Sequence, residues 1–497
     1  PLGGLMVKFA VPCTLSLLVS SLYNIVDQIF IGWGVGYLGN GATNVVFPIT
    51  IIALALALMI GDGCAAYLSL CQGQGDAQSA HRSVGNALVL LLGCSAVLVA
   101  IFALGRDGIL ASFGATENNL AYAVDYFNVI LIGIPFFVLT NGLNSVIRAD
   151  GSPKFAMGST LVGCVINIVL DPIAIFVLHW GVAGAAWATI LGQVVSAALA
   201  LGYLRRGRSF RLCRDSFRLR KILLVRFLPL GISSLLTQVS IVIIMGVMNT
   251  TLVQYGAQSE YGADIPMTVV GIVMKVFQIV ISFVVGIAAG CQPIVGYNYG
   301  AGNHQRVRKI FRTMMLAEAI IGAVATLAFQ LFPVQIISLF GSESDLYNQF
   351  ATLAFRIYLS TMILCCIHKA VSIFLQSLGK PILSMTLSLL RDFVLCVPMI
   401  LLFPRVGEAG VMGPLYSAPA ADVITILVAA AMMVRVMGQQ HQPGLLGQAG
   451  DLLFRFRFLL GGHGRKLGIV GIEQLLGFGQ RFLGSGQRQV LPRKRFQ

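Results

Sequence analysis

Charged residues are scarce in this sequence: Asp, Glu, Lys and Arg together make up 11% of its 497 residues. Soluble globular domains carry about 25% charged and about 45–50% apolar residues, whereas apolar residues reach 57% here. A chain with so little charge cannot cover a folded core with polar surface. The composition therefore excludes a water-soluble globular protein.

Long polar stretches are also rare before residue 438, and the apolar runs between them are about 20 residues or longer, enough to cross a bilayer as a helix. The runs are continuously apolar rather than alternating, which favours helices over the strands of a membrane barrel. The sequence predicts an all-α polytopic membrane protein. Its twelve expected spans are residues 5–32, 43–71, 83–105, 120–147, 155–178, 182–204, 223–251, 264–297, 310–332, 346–376, 381–403 and 409–437.

Histidine is infrequent, with six residues scattered along the chain, and no Cys-x-x-Cys pair occurs. Apart from Cys365 and Cys366, which have His368 nearby, the spacings typical of protein zinc sites are therefore absent. Nearly all ten cysteines fall inside the predicted spans, where buried thiols behave as small hydrophobic groups. We expect no disulfide framework, no resident metal and no organic cofactor.

Acidic residues number 19 against 34 basic ones, a net charge of +15. Nine Lys and Arg lie in residues 205–226 and four more in residues 303–312. Basic loops remain on the cytoplasmic side of membrane proteins, so both loops and both termini are expected there. Because this bias and a basic tail account for the charge, we expect lipid rather than nucleic acid around the protein.

The chain repeats itself. RADGSPK (148–154) and QSLGKP (376–381) align with Gly151 on Gly379 and Pro153 on Pro381, 228 positions apart, and GQGD (73–76) resembles GAGN (300–303). We therefore expect a six-helix lobe in residues 1–206, a basic linker in 207–222 and a second six-helix lobe in 223–437. Parallel repeats of this kind occur in transporters. Residues 438–497 are basic and rich in glycine, contain no spanning run, and are expected to be a disordered tail without a transport role.

Two aspartates interrupt apolar spans, Asp27 in the first and Asp171 in the fifth. An intramembrane carboxylate costs roughly 3 kcal/mol and normally faces a bundle interior or a water-filled cavity. Tyr23 and Asn167 each lie one helical turn before an aspartate, and Pro172 removes a backbone donor beside Asp171. Such a cluster could bind Na⁺ through oxygens or share a proton. Polar contact between helices is the structural alternative.

For the other polar residues within the spans, the sequence gives weaker evidence of a function. Asp62, flanked by Gly61 and Gly63, could line a cavity or cap amides freed at a bend. Lys275 and Gln278 share a helix face and could contact substrate or bridge the two halves. A position near a helix end, or a local ion pair, is an equally good explanation for Glu318, Arg391 and Asp392.

Several strings occur in order over about residues 5–437: KFAVP with LYNIVDQIFIGW, GCAAYLSLCQGQGDAQSA, RADGSPKFAM, NIVLDPIAIF with GVAGAAWATILGQ, FVVGIAAGCQPIVGYNYGAGNHQRVRK, and SAPAAD. Together they resemble the multidrug and toxic compound extrusion (MATE) transporters, nearer their bacterial branch. The resemblance implies two six-helix bundles forming a V-shaped cavity. It also implies export of amphiphilic, often cationic compounds in exchange for H⁺ or Na⁺ by alternating access.

The resemblance further implies which residues serve the coupling ion. The corresponding positions are Asp27, Asp171, Asn167 and Asn144, with Na⁺, if it is the coupling ion, held at the two aspartates. Cavity-lining positions correspond to Tyr23, Tyr126 and Thr189. The second half departs from the pattern, since Val397 aligns with Asp171 and Gln238 stands where some relatives carry an acid. The resemblance therefore assigns no ion-coupling residue to the second half.

A lipid-linked oligosaccharide flippase of the same superfamily is the main alternative, and would be expected to show more spans or a strongly basic cavity. An intramembrane aspartyl protease usually shows a YD and GxGD pair, which Asp62 does not supply, so no enzymatic activity is expected. A channel explains neither the repeat nor the paired acids. We expect a monomeric, multi-pass exporter of the bacterial plasma (inner) membrane.

Overall fold

The computed structural model describes residues 2–113, 120–262, 264–338, 345–406 and 409–439. These residues are almost entirely helical and include no β-strand, which confirms the predicted all-α class. Helices satisfy their own backbone polar groups, as lipid requires. The described residues up to Val434 form one compact unit. The predicted tail beyond residue 439 lies outside the described residues.

The first half of the chain forms six long helices at the predicted spans. They are α1 (Leu2–Gly34), α2 (Tyr37–Gln74), α3 (Ala77–Ser112), α4 (Leu120–Ala149), α5 (Pro153–Pro172) and α6 (Gly181–Leu204). A π-helical turn, Ile173–Val177, extends α5.

The second half is more interrupted. Its helices are α7 (Lys221–Gly256), α8 (Asp264–Gly300), α9 (His304–Leu331), α10 (Pro333–Ser338), α11 (Asp345–Tyr358), α12 (Met362–Ser377), α13 (Pro381–Leu389), α14 (Val397–Leu402) and α15 (Ser417–Gln439). A π-helical turn, Leu390–Cys396, joins α13 to α14. A 3-10 helix, Gly410–Tyr416, precedes α15.

In the part of the chain that the structure describes, eleven helical segments are long and apolar enough to cross a membrane, and α11 with α12 makes a twelfth span if the pair is counted as one. The sequence predicted a single run at residues 346–376, whereas the two helices are bent by 45°. Thr361, at the start of α12, does not cap that helix with its side chain. Its hydroxyl instead donates to Asp422 Oδ2 at 2.9 Å, so the break is tied to α15.

The repeated motifs adopt the same turns in both halves. Gly75 and Gly302 have φ of 76° and 74°, a left-handed conformation that glycine adopts without strain. The next residue caps the following helix: Asp76 accepts from the Ser79 amide at 3.0 Å, and Asn303 from the Arg306 amide at 3.2 Å. Hydrogen bonds from Ser79 hold the pKa of the Asp76 carboxyl below its ordinary value.

The predicted linker is folded onto α3. The side chain of Asn86, which is fully buried, donates to the carbonyls of Ser216 and Arg218 at 3.0 and 2.9 Å and accepts from the Arg220 amide at 2.8 Å. Asp215 bridges Arg82 at 3.0 Å and Arg220 at 3.1 Å. These bonds fix the path of the chain into α7.

Buried apolar side chains form two large clusters, one drawn from residues 42–227 and the other from residues 244–421. Between the halves, α1 packs on α8 and α2 on α7. Glycines allow close approach at both crossings. A Cβ on Gly290 would lie 2.9 Å from the Phe9 carbonyl oxygen, and one on Gly63 would meet the carbonyl oxygen of Phe227. At both crossings, therefore, a glycine of one half contacts a phenylalanine carbonyl of the other half.

Candidate functional site

Asp27 and Asp171 come together within the first half. Asp27 lies in α1 and is 8% exposed, and Asp171 lies at the end of α5 and is 0% exposed. Because α1 packs against α5, the two carboxyl groups are close enough to interact directly. Tyr23 of α1 and Tyr126 of α4 lie within electrostatic range of both acids. Four side chains singled out in the sequence thus form one cluster.

Several oxygens in this cluster have no hydrogen-bond partner among the described residues: Oδ1 of Asp27, both carboxyl oxygens of Asp171 and Oδ1 of Asn167. Buried polar atoms in native proteins are nearly always paired with protein, water or an ion. These four unpaired oxygens are all hydrogen-bond acceptors, and none of them has a donor in the described part of the chain. A proton or a hard cation, which oxygen ligands suit, is the natural occupant.

The two asparagines differ in how much of the amide is free. Asn167 Nδ2 donates to Thr189 Oγ1 at 3.0 Å, which leaves its carbonyl oxygen available. Asn144 is engaged at both ends, since its Nδ2 donates to Thr160 at 3.0 Å and its Oδ1 accepts from Ser159 at 3.0 Å. Asn144 therefore positions α4 against α5 in this state rather than offering a free ligand.

A cavity of about 140 Å³ opens between α1, α2, α4, α5 and α6. Four predicted site residues line it, namely Tyr23, Asn144, Asn167 and Thr189. Asp27 and Asp171 are not in its wall. They lie one helical turn further along the same helices, beyond Tyr23 and Asn167. The cavity is therefore polar and adjoins the acid pair.

Sequence reasoning missed several polar residues of the cavity wall, which are Ser20, Asn24, Thr140, Asn141, Thr160, Gln193 and Ser196. A signal for some of them was present. Ser20, Tyr23, Asn24 and Asp27 follow the spacing i, i+3, i+4, i+7, which places them on one face of α1. The polar stripe marks the cavity side of that helix more completely than the aspartate alone.

Pro172 ends α5, directly after Asp171, and the chain continues as the π-helical turn Ile173–Val177. Proline removes one backbone hydrogen bond and crowds the preceding turn, and π-helical turns are frequent at functional sites. An irregular turn is therefore present beside Asp171. It lies on the C-terminal side of the proline.

Asp62 of α2 is placed elsewhere and does not line the cavity. Its Oδ1 accepts from Ser145 of α4 at 2.6 Å, and its Oδ2 accepts from Ser234 of α7 at 2.8 Å. Arg148 lies 3.8 Å from the same carboxylate. Asp62 thus joins helices of the two halves, which differs from the cavity-lining role expected for it.

Lys275 and Gln278 of α8 are both exposed. They lie three residues apart, on one helix face as predicted, and outside the wall of the 140 Å³ cavity. Near them Ser282 of α8 and Ser21 of α1 form a hydroxyl contact of 3.0 Å between the two halves. Contact of Lys275 or Gln278 with a substrate remains a prediction.

The second half contains a network of buried charges, of which the sequence indicated only a local ion pair between Arg391 and Asp392. Arg391 and Asp392 were expected near a helix end, but they lie in the π-helical turn of the span and are 5% and 2% exposed. Arg391 Nη1 lies 2.9 Å from Asp392 Oδ1, and its Nε lies 3.1 Å from Asp422 Oδ1. Lys369 Nζ approaches Asp392 Oδ2 at 3.7 Å.

His368 Nε2 completes the network, 3.2 Å from Asp422 Oδ1. Cys365, His368 and Asp422 place ligand atoms within 4.8 Å of one another. The guanidinium of Arg391 already occupies the Asp422 oxygen that faces His368, so a metal cation there would meet a fixed positive charge. The two carboxylates and the two cations Lys369 and Arg391 balance one another.

Glu318 was also expected near a helix end, and this was wrong. It lies in the middle of α9, is 0% exposed, and neither carboxyl oxygen has a hydrogen-bond partner among the described residues. Its electrostatic neighbours include Cys291 of α8 and Cys366 of α12. It stands apart from the acid pair of the first half.

A family model, described as MatE, matches residues 12–173 and 235–402. The first of these ranges contains Asp27, Asn144, Asn167 and Asp171. The multidrug export protein MepA of Staphylococcus saprophyticus is 26% identical over 436 residues, which cover 86% of this chain and 92% of that protein. MepA of Staphylococcus aureus strain MSSA476 is 25% identical over 443 residues, covering 87% and 93%.

Solved structures are similar over most of the chain. A MOP superfamily transporter from Pyrococcus furiosus aligns with a TM-score of 0.82 at 24% identity, covering 88% of this chain and 96% of that one. A structure described as the outward-facing conformation of a multidrug resistance MATE family transporter aligns with a TM-score of 0.82 at 23% identity, with the same coverage. At these identities the likeness shows the fold.

Proposed function

The chain belongs to the MatE family of membrane transporters, and from this membership we propose that it exports amphiphilic, often cationic small molecules in exchange for H⁺ or Na⁺. It acts as a secondary active antiporter of a bacterial plasma membrane, with both termini in the cytoplasm. It works as a monomer by alternating access of its two six-helix lobes, residues 1–206 and 223–437.

The relatives support this choice of substrate. The curated proteins similar over most of the chain are named multidrug export proteins, which favours drug export over the lipid-linked oligosaccharide flippase considered above. The wall of the 140 Å³ cavity consists mainly of hydroxyl and amide side chains, and none of its residues is basic. Such a wall suits a cation or a neutral polar group better than the pyrophosphate of a lipid-linked sugar.

The acid pair is the observation that carries the proposed coupling. Asp27 and Asp171 are buried and near one another, and three of their four oxygens lack a partner among the described residues. Two carboxylates cannot both ionise in such a site without a compensating charge. The pair therefore holds either a proton or a cation, and changes its affinity when access opens to the other side. Both H⁺ and Na⁺ suit this geometry.

Among the described residues, the second half supplies no equivalent pair of acids. Val397, which aligns with Asp171, is the first residue of α14, and Pro398 matches Pro172. In the described part of this half, the buried acids Asp392 and Asp422 are already compensated by Lys369 and Arg391, and the buried acid Glu318 is a single carboxyl group rather than one of a pair. We therefore assign ion coupling to the first half alone.

The proposal is tested in proteoliposomes by following the movement of a fluorescent cationic dye while a proton gradient and a sodium gradient are imposed separately. Asp27→Asn and Asp171→Asn should each lower gradient-driven transport at least tenfold, because an amide neither titrates nor compensates a cation. Membrane insertion should be unaffected, since a neutral amide costs less in lipid than a carboxylate. Val397→Asp should rescue neither variant.

Asp76→Asn is the matched control. It removes a carboxylate from the same half of the chain but outside the cavity, and asparagine caps a helix about as well as aspartate. Transport by this variant should stay within about twofold of the unmodified protein. Near-normal transport by both Asp27→Asn and Asp171→Asn, at equal amounts in the membrane, would refute the coupling site.

A further inference from the structure

A recess of 430 Å³ lies at the ends of α1, α5 and α6, on the side of the protein that carries the basic linker. Four basic side chains line it: Lys8 of α1, Lys154 of α5, and Arg206 and Arg208 just after α6. Among the described residues none of the four pairs with a carboxylate. The site is far along both α1 and α5 from the acid pair and plays no part in the coupling proposed above.

The recess is built by a buried carboxylate. Asp150, which is 4% exposed, accepts at 2.7 Å from the Tyr203 hydroxyl and the Arg208 amide, and at 2.8 Å from the Ser209 amide. The Ser209 hydroxyl also donates to it. These bonds hold the chain after α6 against the start of α5. Arg206 and Arg208 thereby line the same recess as Lys154.

The start of α5 adds to the positive character of the recess. Ser152 precedes the helix but its side chain makes no capping hydrogen bond; its hydroxyl lies 2.7 Å from the hydroxyl of Tyr203, which donates its proton to Asp150. The positive end of the helix dipole therefore remains available to an anion. Four cations against the one carboxylate of Asp150 leave three net positive charges around the recess.

Retention of basic residues on the cytoplasmic side explains why Lys and Arg occur in this region. It does not explain why basic residues that are distant in sequence line one recess. Nor does it explain why the buried carboxylate of Asp150 fixes the segment that carries two of them. We propose that the recess binds the phosphate group of an anionic phospholipid.

Apolar surface beside the recess favours a lipid over a free phosphate ion. Phe155, which lines the recess, begins a stripe along α5 that continues through Val162, Val165 and Val169. Their exposed fractions are 39%, 41%, 58% and 52%. The spacing of 7, 3 and 4 residues puts them on one helix face. An acyl chain attached to a phosphate in the recess can therefore lie along this stripe.

The test uses the full chain, purified in a neutral detergent and depleted of lipid, with phosphatidylglycerol, phosphatidylcholine or inorganic phosphate added at equal phosphate concentration. Bound lipid is counted by native mass spectrometry, and the apparent Tm is measured in parallel. Phosphatidylglycerol should bind and raise the apparent Tm, whereas the other two should not. An equal effect of phosphatidylcholine, or a full effect of inorganic phosphate, would overturn the assignment to an anionic lipid.

Charge removal locates the site. Each basic residue near an anionic surface strengthens binding by roughly a factor of five, so Lys154→Gln with Arg206→Gln should weaken phosphatidylglycerol binding about 25-fold. Lys8→Gln, on a different helix, should weaken it about fivefold. All three side chains are exposed, so the variants should fold, and an unchanged elution volume in size-exclusion chromatography verifies this.

The matched control is Arg211→Gln with Arg218→Gln, which removes two exposed charges from the same linker but outside the recess. Its affinity for phosphatidylglycerol should remain within about twofold of the unmodified protein. If the control loses as much binding as Lys154→Gln with Arg206→Gln, lipid is attracted by general surface charge and the recess is not a site. If neither double variant loses binding, the proposal is equally wrong.

Discussion

Glu318 occupies a position that its counterpart in the first half fills with an apolar side chain. The offset of 227 residues that aligns GQGD with GAGN places Glu318 on Leu91. Both side chains are 0% exposed. Leucine and glutamate have similar volumes, so the surrounding helices already accommodate an apolar group of this size in one half of the protein.

Replacing Glu318 by leucine should stabilise the protein. A buried polar group without a partner costs about 1–3 kcal/mol, and leucine removes that cost while filling the same space. The apparent Tm of the purified protein should therefore rise, and Glu318→Gln, which keeps a polar group, should change it less. A fall in Tm for both variants would show that the carboxyl group has a stabilising partner.

Prediction of individual site residues succeeded for acids that stand alone in an apolar run. It failed for charged residues for which a neighbouring charge already offered an explanation. Asp27 and Asp171 stood out because an isolated acid in an apolar run requires a polar environment. Arg391 and Asp392 were read as a local pair, because the sequence does not show that Asp422, some 30 positions later, shares the same arginine. Gln193 was missed although Thr189, one turn before it in α6, already marked the same helix face.

At the scale of helices, the sequence predicted spans well and their interruptions poorly. Continuous apolar runs define spans because lipid requires helical hydrogen bonding throughout. The bend between α11 and α12 depends on Thr361 bonding Asp422 of α15, a tertiary contact without a local signal. Both π-helical turns adjoin a proline, but Ile173–Val177 follows Pro172 whereas Leu390–Cys396 precedes Pro398. The position of a proline therefore did not predict on which side of it the π-helical turn would form.

The crossing of α1 and α8 should be sensitive to the smallest side chain. A Cβ on Gly290 would lie 2.6 Å from the Ala10 Cα and 2.9 Å from the Phe9 carbonyl oxygen, and backbone atoms cannot rotate aside. Gly290→Ala should therefore lower stability by about 1–3 kcal/mol, the usual cost of overpacking. The measurement is the apparent Tm in detergent.

Gly93→Ala provides the comparison, because nothing lies within 4 Å of a Cβ at this position of α3. Alanine favours helix over glycine by up to about 1 kcal/mol, so this variant should be neutral or slightly more stable. Equal Tm values for Gly290→Ala and Gly93→Ala would mean that the two halves are not in tight contact at this crossing.

At the scale of the whole molecule, the distribution of basic residues predicts orientation. Cys213 is exposed and lies in the linker before α7. In intact cells a membrane-impermeant thiol reagent should not label it, whereas permeabilised cells should allow labelling. Labelling of Cys213 from outside intact cells would reverse the predicted topology of every span.

The linker also suggests where the chain can be divided. Its last hydrogen bond to Asn86 is at Arg220, and α7 begins at Lys221. Residues 1–220 and 221–437, expressed together as separate chains, should therefore associate and purify as a complex, with an affinity tag on one fragment only. Recovery of the tagged fragment alone would show that the covalent connection is needed for assembly.

The doubled glycine contact has a consequence for the history of the protein. Each half presents one glycine, Gly63 or Gly290, and one phenylalanine carbonyl, Phe9 or Phe227, and each glycine meets the carbonyl of the other half. A surface that offers both members of a contact is complementary to a second copy of itself, which is what a symmetric homodimer needs. An ancestor encoding only six helices could therefore have assembled from two identical chains. Fusion of two such copies would allow them to diverge, so that one half carries Asp171 where the other carries Val397.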